Sequence, residues 1–187
     1  RTLLTTSECL LNSNRNHLFS KTEIEERLRN ALGIDRILWL NHGYIEGDDT
    51  DSHIDTLARF CNENTICYVQ CKDKNDVHYQ ELKKMERELQ GFTTASGEFY
   101  HLEALPMVRP LIDIDGHRMP ATYANFLIIN QAVLVPVYGQ DEDARALEIL
   151  GRLFPGREIT GINCLSLIKQ NGSLHCITMH IPKGFLR

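Results

Sequence analysis

The chain has 187 residues, 42% hydrophobic and 24% charged, a balance that excludes disorder and suits a folded protein of one or two domains. Its net charge of −5 and pI near 5.9 exclude nucleic acid and anionic membrane surfaces as natural partners, while a small cationic ligand stays compatible. Six cysteines are too sparse for a disulfide framework, and neither a signal-peptide pattern nor a long apolar run appears, so the expected compartment is a reducing cytoplasm.

In chain order, β-branched Thr2–Thr6 predicts a strand. Ser20 then caps a helix, with Glu23 completing a capping box; Ile24, Leu28, Ala31 and Leu32 form its apolar face and Gly33 stops it. A strand over Arg36–Leu40 follows, and after an acidic run come strands over Ile54–Phe60 and Thr65–Gln70. Leu82, Met85 and Leu89 mark a second helix from about Val77 to Gly91, followed by a strand over Phe99–Leu105. Strands over Ala124–Ile129 and Ala132–Tyr138 precede a third helix, which starts near Asp141, buries Ala144, Leu147, Leu150 and Leu153, and ends before Pro155-Gly156. Glu158–Ile162 is the next strand, Asn171-Gly172-Ser173 a turn, and Leu174–Ile181 a final strand.

The order strand, strand, helix, strand recurs, with helix starts at Lys21, Val77 and Asp141, 56 and 64 residues apart. Such a period predicts an α/β ring or array. The first unit lacks its opening strand and the last strand begins a unit that does not continue. Leftover half-units suggest a fragment of a closed ring, because an open array caps its ends. The expectation is one domain over 1–187, with units near 1–40, 53–105 and 123–162 plus the strand 174–181.

Two clusters carry chemistry. Cys176, in Asn171-Gly172-Ser173-Leu174-His175-Cys176-Ile177-Thr178, places a thiol at the mouth of a strand just after a tight turn, where a nucleophile is displayed. A buried strand cysteine is the competing reading. His175 is a poor activating partner if the segment is a strand, since successive strand residues face opposite ways. In Gly47-Asp48-Asp49-Thr50-Asp51-Ser52-His53-Ile54-Asp55, His53 and Asp55 stand two apart, on one side of a shared strand. His53 is open to three readings: a loop histidine, a metal ligand among Asp48, Asp49, Asp51 and Asp55, or a general acid/base. The run lacks the glycine and terminal glutamate of an EF-hand loop. Cys61, Cys67 and Cys71 lack a Cys-x-x-Cys pair and read as buried thiols.

The segments Trp39 to Phe60, Pro120 to Gly139 and Phe154 to Pro182 resemble the agmatine deiminase and bacterial peptidylarginine deiminase family, and the match spans nearly the whole chain. The opening Thr2 to Asn16 is similar to the middle of that family, so the chain is expected to be the C-terminal part of a longer protein. The resemblance implies a pseudo-fivefold α/β propeller, here an incomplete ring. It implies Cys176 as nucleophile, His53 as acid/base and Asp55 as the carboxylate that grips a guanidinium, a planar group whose paired N–H donors suit a carboxylate. The implied reaction converts agmatine and water to N-carbamoylputrescine and ammonia through an amidino-cysteine, with no metal and no organic cofactor. Deimination of peptidyl-arginine is the alternative within the family, and a non-catalytic propeller fragment the alternative outside it. The implied partners are a small cationic guanidino substrate and the missing N-terminal part of the same domain, in the same or a second chain; a homo-oligomer is compatible. This chain has Ser52 and Ser173 where the family pattern has glycine. It lacks the Trp-x-Arg-Asp and Glu-Gly-Gly segments that supply further clamp residues.

Overall fold

The computed structural model describes residues 1–181, 184 and 185; of the unit expected over 1–187, positions 182, 183, 186 and 187 lie outside the described residues. β1 (Thr2–Thr6) pairs in parallel with β2 (Arg36–Leu40), and the crossover that parallel pairing requires is made by two single turns, α1 (Ser7–Leu10) and α2 (Ser13–Asn16), and the longer α3 (Lys21–Leu32). The Ser20 hydroxyl oxygen accepts from the Glu23 N–H while the Glu23 carboxylate accepts from the Ser20 N–H, and Gly33, at φ 61°, closes the helix by donating to the Arg29 carbonyl. Only Ile24 of the expected α3 face is buried; Leu32 is 55% exposed, because a two-stranded sheet covers little more than the start of this helix.

The next two units repeat one plan. β3 (Ala58–Asn62) runs antiparallel to β4 (Thr65–Gln70), α4 (Tyr79–Gln90) crosses over, and β5 (His101–Pro106) lies parallel to β4. β6 (Leu127–Ile128), β7 (Ala132–Val137), α5 (Glu142–Leu153) and β8 (Glu158–Asn163) follow in the same order and directions. The result, over the described residues, is a mixed α/β fold of three small sheets, of two, three and three strands. β4 is buried from Thr65 to Val69 on both faces, as a strand must be when helix and neighbouring sheet both cover it. α4 buries Leu82, Met85 and Leu89 at helical spacing. In α5 the buried face is Ala146, Ile149 and Leu150, rotated from the expected one, with Ala144 exposed and Leu147 and Leu153 half-buried.

Three expected strands are corrected, and all three lie near the candidate site. The start of Ile54–Phe60 is a 3-10 turn over Ile54–Thr56, closed by Leu57 N–H on the Ile54 carbonyl and by the Thr56 hydroxyl on the His53 carbonyl, so His53 and Asp55 share no strand. Ala124–Ile129 pairs only at Leu127 and Ile128. Leu174–Ile181 forms no strand; His175–Ile177 is a 3-10 turn in which the Thr178 N–H and hydroxyl both donate to the His175 carbonyl. With no strand beside it among the described residues, local bonds satisfy its backbone instead. No helix of the described residues is long and apolar enough to cross a membrane.

Candidate active site

Three short segments meet where the second and third units adjoin: the 53–56 turn, the stretch 122–126 leading into β6, and the 173–177 turn. Buried hydroxyls hold them together. Thr122 Oγ1 donates to the Thr56 carbonyl at 2.9 Å, and the Tyr138 hydroxyl donates to the Thr122 carbonyl at 3.1 Å while bonded to Ser173 Oγ at 2.8 Å. Burial pushes the Tyr138 phenol up, so it stays a neutral donor. Arg59 of β3 reaches across to donate to the Phe126 carbonyl at 2.8 Å and the Ala124 carbonyl at 3.5 Å, its guanidinium over the Phe126 ring. It thereby grips the main chain on both sides of Asn125.

Asn125 is fully buried. Its Oδ1 accepts from the His175 N–H at 2.8 Å; its Nδ2 donates to Asp55 Oδ2 at 3.0 Å and lies 3.4 Å from Cys176 Sγ. Asp55 Oδ2 is also 2.7 Å from His175 Nδ1. Oδ2 takes both bonds, and Asp55 Oδ1 has no hydrogen-bond partner among the described residues. Burial pushes the Asp55 carboxyl up, but the His175 bond, aided by the charge of Arg59, outweighs it and the net shift is downward. Cys176 is exposed. It packs closely on Gly172: a Cβ added there would stand 3.2 Å from the Cys176 Cβ.

His53 is near enough to this cluster for its charge to help lower the Asp55 carboxyl, but its ring bonds elsewhere. Its Nε2 is 3.0 Å from Arg15 Nη2, and among the described residues its side chain makes no hydrogen bond to Asp55 or Cys176. Arg15 also donates to the Thr50 carbonyl and pairs with Asp51, so it pins the acidic loop. Asp51 and Ser52 both adopt left-handed backbone, at φ 63° and 56°. That conformation favours glycine, which gives the family's glycine at the Ser52 position a physical reason. Asp48 Oδ1 accepts from the Thr50 N–H at 2.9 Å, and Asn171 Nδ2 reaches Asp49 Oδ2 at 3.3 Å, tying this loop to the turn before Cys176. Among the described residues no three His, Cys, Asp or Glu side chains are gathered as metal ligands would be.

The structure therefore brings Asp55 and Cys176 onto one amide, leaves His53 beside Arg15, and adds two residues that sequence reasoning missed. His175 was set aside as facing away from its neighbour in a strand; in a 3-10 turn that alternation does not hold, and its ring reaches Asp55. Asn125 gave one signal, a lone amide in the apolar stretch Tyr123 to Ile129, where burial demands partners.

The sequence profile of the Porphyromonas-type peptidyl-arginine deiminase family matches residues 1–182. A Legionella pneumophila (strain Paris) protein provisionally named an agmatine deiminase is 38% identical over 185 residues, covering 98% of this chain and 53% of that protein. A solved Porphyromonas gingivalis structure, provisionally assigned as an arginine deiminase, superposes with TM-score 0.97 at 53% identity, over 100% of this chain and 55% of that one. The C. jejuni agmatine deiminase, solved as a Cys-to-Ser variant with substrate bound, superposes with TM-score 0.86 at 44% identity, over 93% and 50%. The chain spans about half the length of the curated relatives it matches, 53% in the Legionella case.

Proposed function

The chain belongs to the Porphyromonas-type peptidyl-arginine deiminase family, and from that premise we propose that it carries the nucleophile of a guanidino hydrolase acting on agmatine. The observation that carries the reading is the buried Asn125 amide joining the Asp55 carboxylate to the Cys176 thiol. A largely buried carboxylate set beside an exposed thiol suits a substrate with a cationic, planar group and an electrophilic carbon.

In the proposed reaction Asp55 receives guanidinium N–H donors on Oδ1. Cys176 Sγ bonds to the guanidinium carbon, and the C–N bond to the departing nitrogen breaks as His53 gives it a proton, releasing ammonia. Water then adds to the amidino-cysteine carbon, His53 takes its proton, and the C–S bond breaks to free the ureido product. The sequence needs no redox or metal partner. A second reading gives the proton transfers to His175, which the 2.7 Å bond to Asp55 favours.

Agmatine is preferred to peptidyl-arginine for two reasons. The Legionella and C. jejuni relatives bear the agmatine name. A hollow of about 430 Å³ beside the 48–52 loop, the loop that Asn171 ties to the turn before Cys176, has Glu8, Asp48, Asp49, Asp51 and Glu81 in its lining, a negative charge that attracts a dicationic diamine more than a neutral peptide. In the same reading, residues 1–187 are one domain, three units of a pseudo-fivefold α/β propeller, with the Trp-x-Arg-Asp and Glu-Gly-Gly clamp residues supplied from outside this sequence. Its six free cysteines suit the cytoplasm.

The test is ammonia release by the full-length protein from agmatine, free arginine and an arginyl peptide. Agmatine should be the substrate, and Cys176→Ala should abolish turnover with unchanged thermal unfolding. Preference for the peptide would refute the agmatine assignment, and full activity of Cys176→Ala would refute the nucleophile.

A further inference from the structure

We infer that His78 is a positioning residue that works as an acid-released latch: its neutral ring holds the root of the 47–53 loop, and a second proton on the ring lets that loop go. The effect on turnover rests on the reading of this loop as one wall of the agmatine site. The latch is a clamp whose two jaws meet on one carboxylate. One jaw is the His78 ring, completely buried at the N-cap of α4, whose Nε2 accepts the Glu46 N–H at 2.8 Å. The other is Arg118, whose carbonyl packs against Gly47 so closely that no Cβ fits there, at a φ of 88° that favours glycine. Asp76 joins them: Oδ1 meets His78 Nδ1 at 2.5 Å, and Oδ2 accepts from Arg118 Nη1 at 2.9 Å. Past Gly47 the chain carries Asp48, Asp49 and Asp51, which line the acidic hollow, and then His53. Asp55 is fastened separately, by Asn125 and His175, so release at the root reaches the acidic stretch and His53 first.

The clamp depends on a proton because of which atoms face each other. The Glu46 N–H is a donor, so Nε2 is bare and the single proton of the ring sits on Nδ1, toward Asp76. A second proton has only Nε2 to occupy, where it would point at the Glu46 N–H. Two donors make no bond, and a buried N–H left without a partner drives the loop root out to water. Burial and the Arg118 guanidinium oppose that second proton, while the Asp76 and Glu46 carboxylates favour it; Tyr44, whose ring centroid lies 5.1 Å from that of His78, stays neutral because burial pushes its phenol up. The opposing groups prevail, so His78 titrates below the usual 6.5 of a histidine: the latch is closed at neutral pH and opens as pH falls.

The test uses the full-length protein and two variants. In His78→Gln the amide oxygen takes the place of Nε2 as acceptor and binds no proton; in His78→Ala the acceptor is gone. Amide hydrogen exchange of peptides covering residues 44–53, corrected for the pH dependence of the chemical rate, should show wild-type protection falling by roughly tenfold or more from about pH 7.5 to about pH 4.5, with α5 peptides keeping theirs. His78→Gln should hold its loop protection across that range, and His78→Ala should lack it already at neutral pH. The kcat/KM for agmatine should follow: about tenfold lower in His78→Ala at neutral pH, and less acid-sensitive in His78→Gln than in wild type. Wild-type loop protection that stays level into acid would overturn the latch, as would a loss shared equally by the α5 peptides, which would make His78 a stability residue only. If His78→Ala does not fold, wild type against His78→Gln decides, and an equal acid loss in both overturns it. The expected exchange pattern with no ammonia release from agmatine in any of the three proteins would sustain the latch and count against the substrate reading alone.

Discussion

Asp55 keeps its charge because His175 and Arg59 outweigh the cost of burying it, and its side-chain bonds to the described residues both fall on Oδ2, so Oδ1 is the oxygen that the proposed reaction gives to the guanidinium. Removing that charge should act on binding. Asp55→Asn is expected chiefly to raise KM for agmatine, while His53→Ala should lower kcat by roughly 10²- to 10⁴-fold, the usual contribution of a general acid/base. Steady-state kinetics of the two variants beside His175→Ala decides between the histidines. A larger loss of kcat in His175→Ala would transfer the proton steps to the residue bonded to Asp55 and leave His53 as a loop-ordering group beside Arg15.

Between elements, the connection from β4 to α4 is locked by a buried network with a clear pH signature. Asp76 accepts from Arg118 Nη1 at 2.9 Å and from the His78 N–H at 3.0 Å. His78 Nε2 accepts the Glu46 N–H at 2.8 Å, so its proton sits on Nδ1 and points to Asp76, 2.5 Å away. Burial raises the Asp76 carboxyl, but the bonds from His78 and Arg118 bring it down to about 2. Its contribution is therefore complete above the unfolded value near 4 and is lost as pH falls from there toward 2, roughly 2 kcal/mol in all. Denaturant unfolding at stepped pH should show this loss in wild type and lack it in Asp76→Asn, already destabilised at neutral pH. The burial that pushes His78 down keeps the ring neutral and adds a loss of its own as pH falls below about 6.5. Elements built from neighbours in sequence were legible in this way of reading: Ser20, Glu23 and Gly33 mark both ends of α3 because capping is local. The turns at Ile54–Thr56 and His175–Ile177 were not legible. They depend on partners 50 to 70 residues away, Thr122 and Asn125, and β-branched residues such as Ile54 and Ile177 read as strand until those partners are known.

At the scale of the molecule, the repeating order of strands and helices was readable from periodicity. The bond between His53 and Arg15 was not, because it joins residues 38 apart in sequence. The site sits on the seam between units, where Thr122, Asn125 and Arg59 bridge the second to the third. A reaction there needs a properly docked seam, so the decisive experiment uses the full-length protein. Acid-quench it during turnover of agmatine, digest it, and weigh each cysteine peptide. The account predicts an amidino adduct on Cys176 and on none of the other five cysteines; steady agmatine turnover with Cys176 unmodified at every quench time, and undiminished in Cys176→Ala, would contradict it.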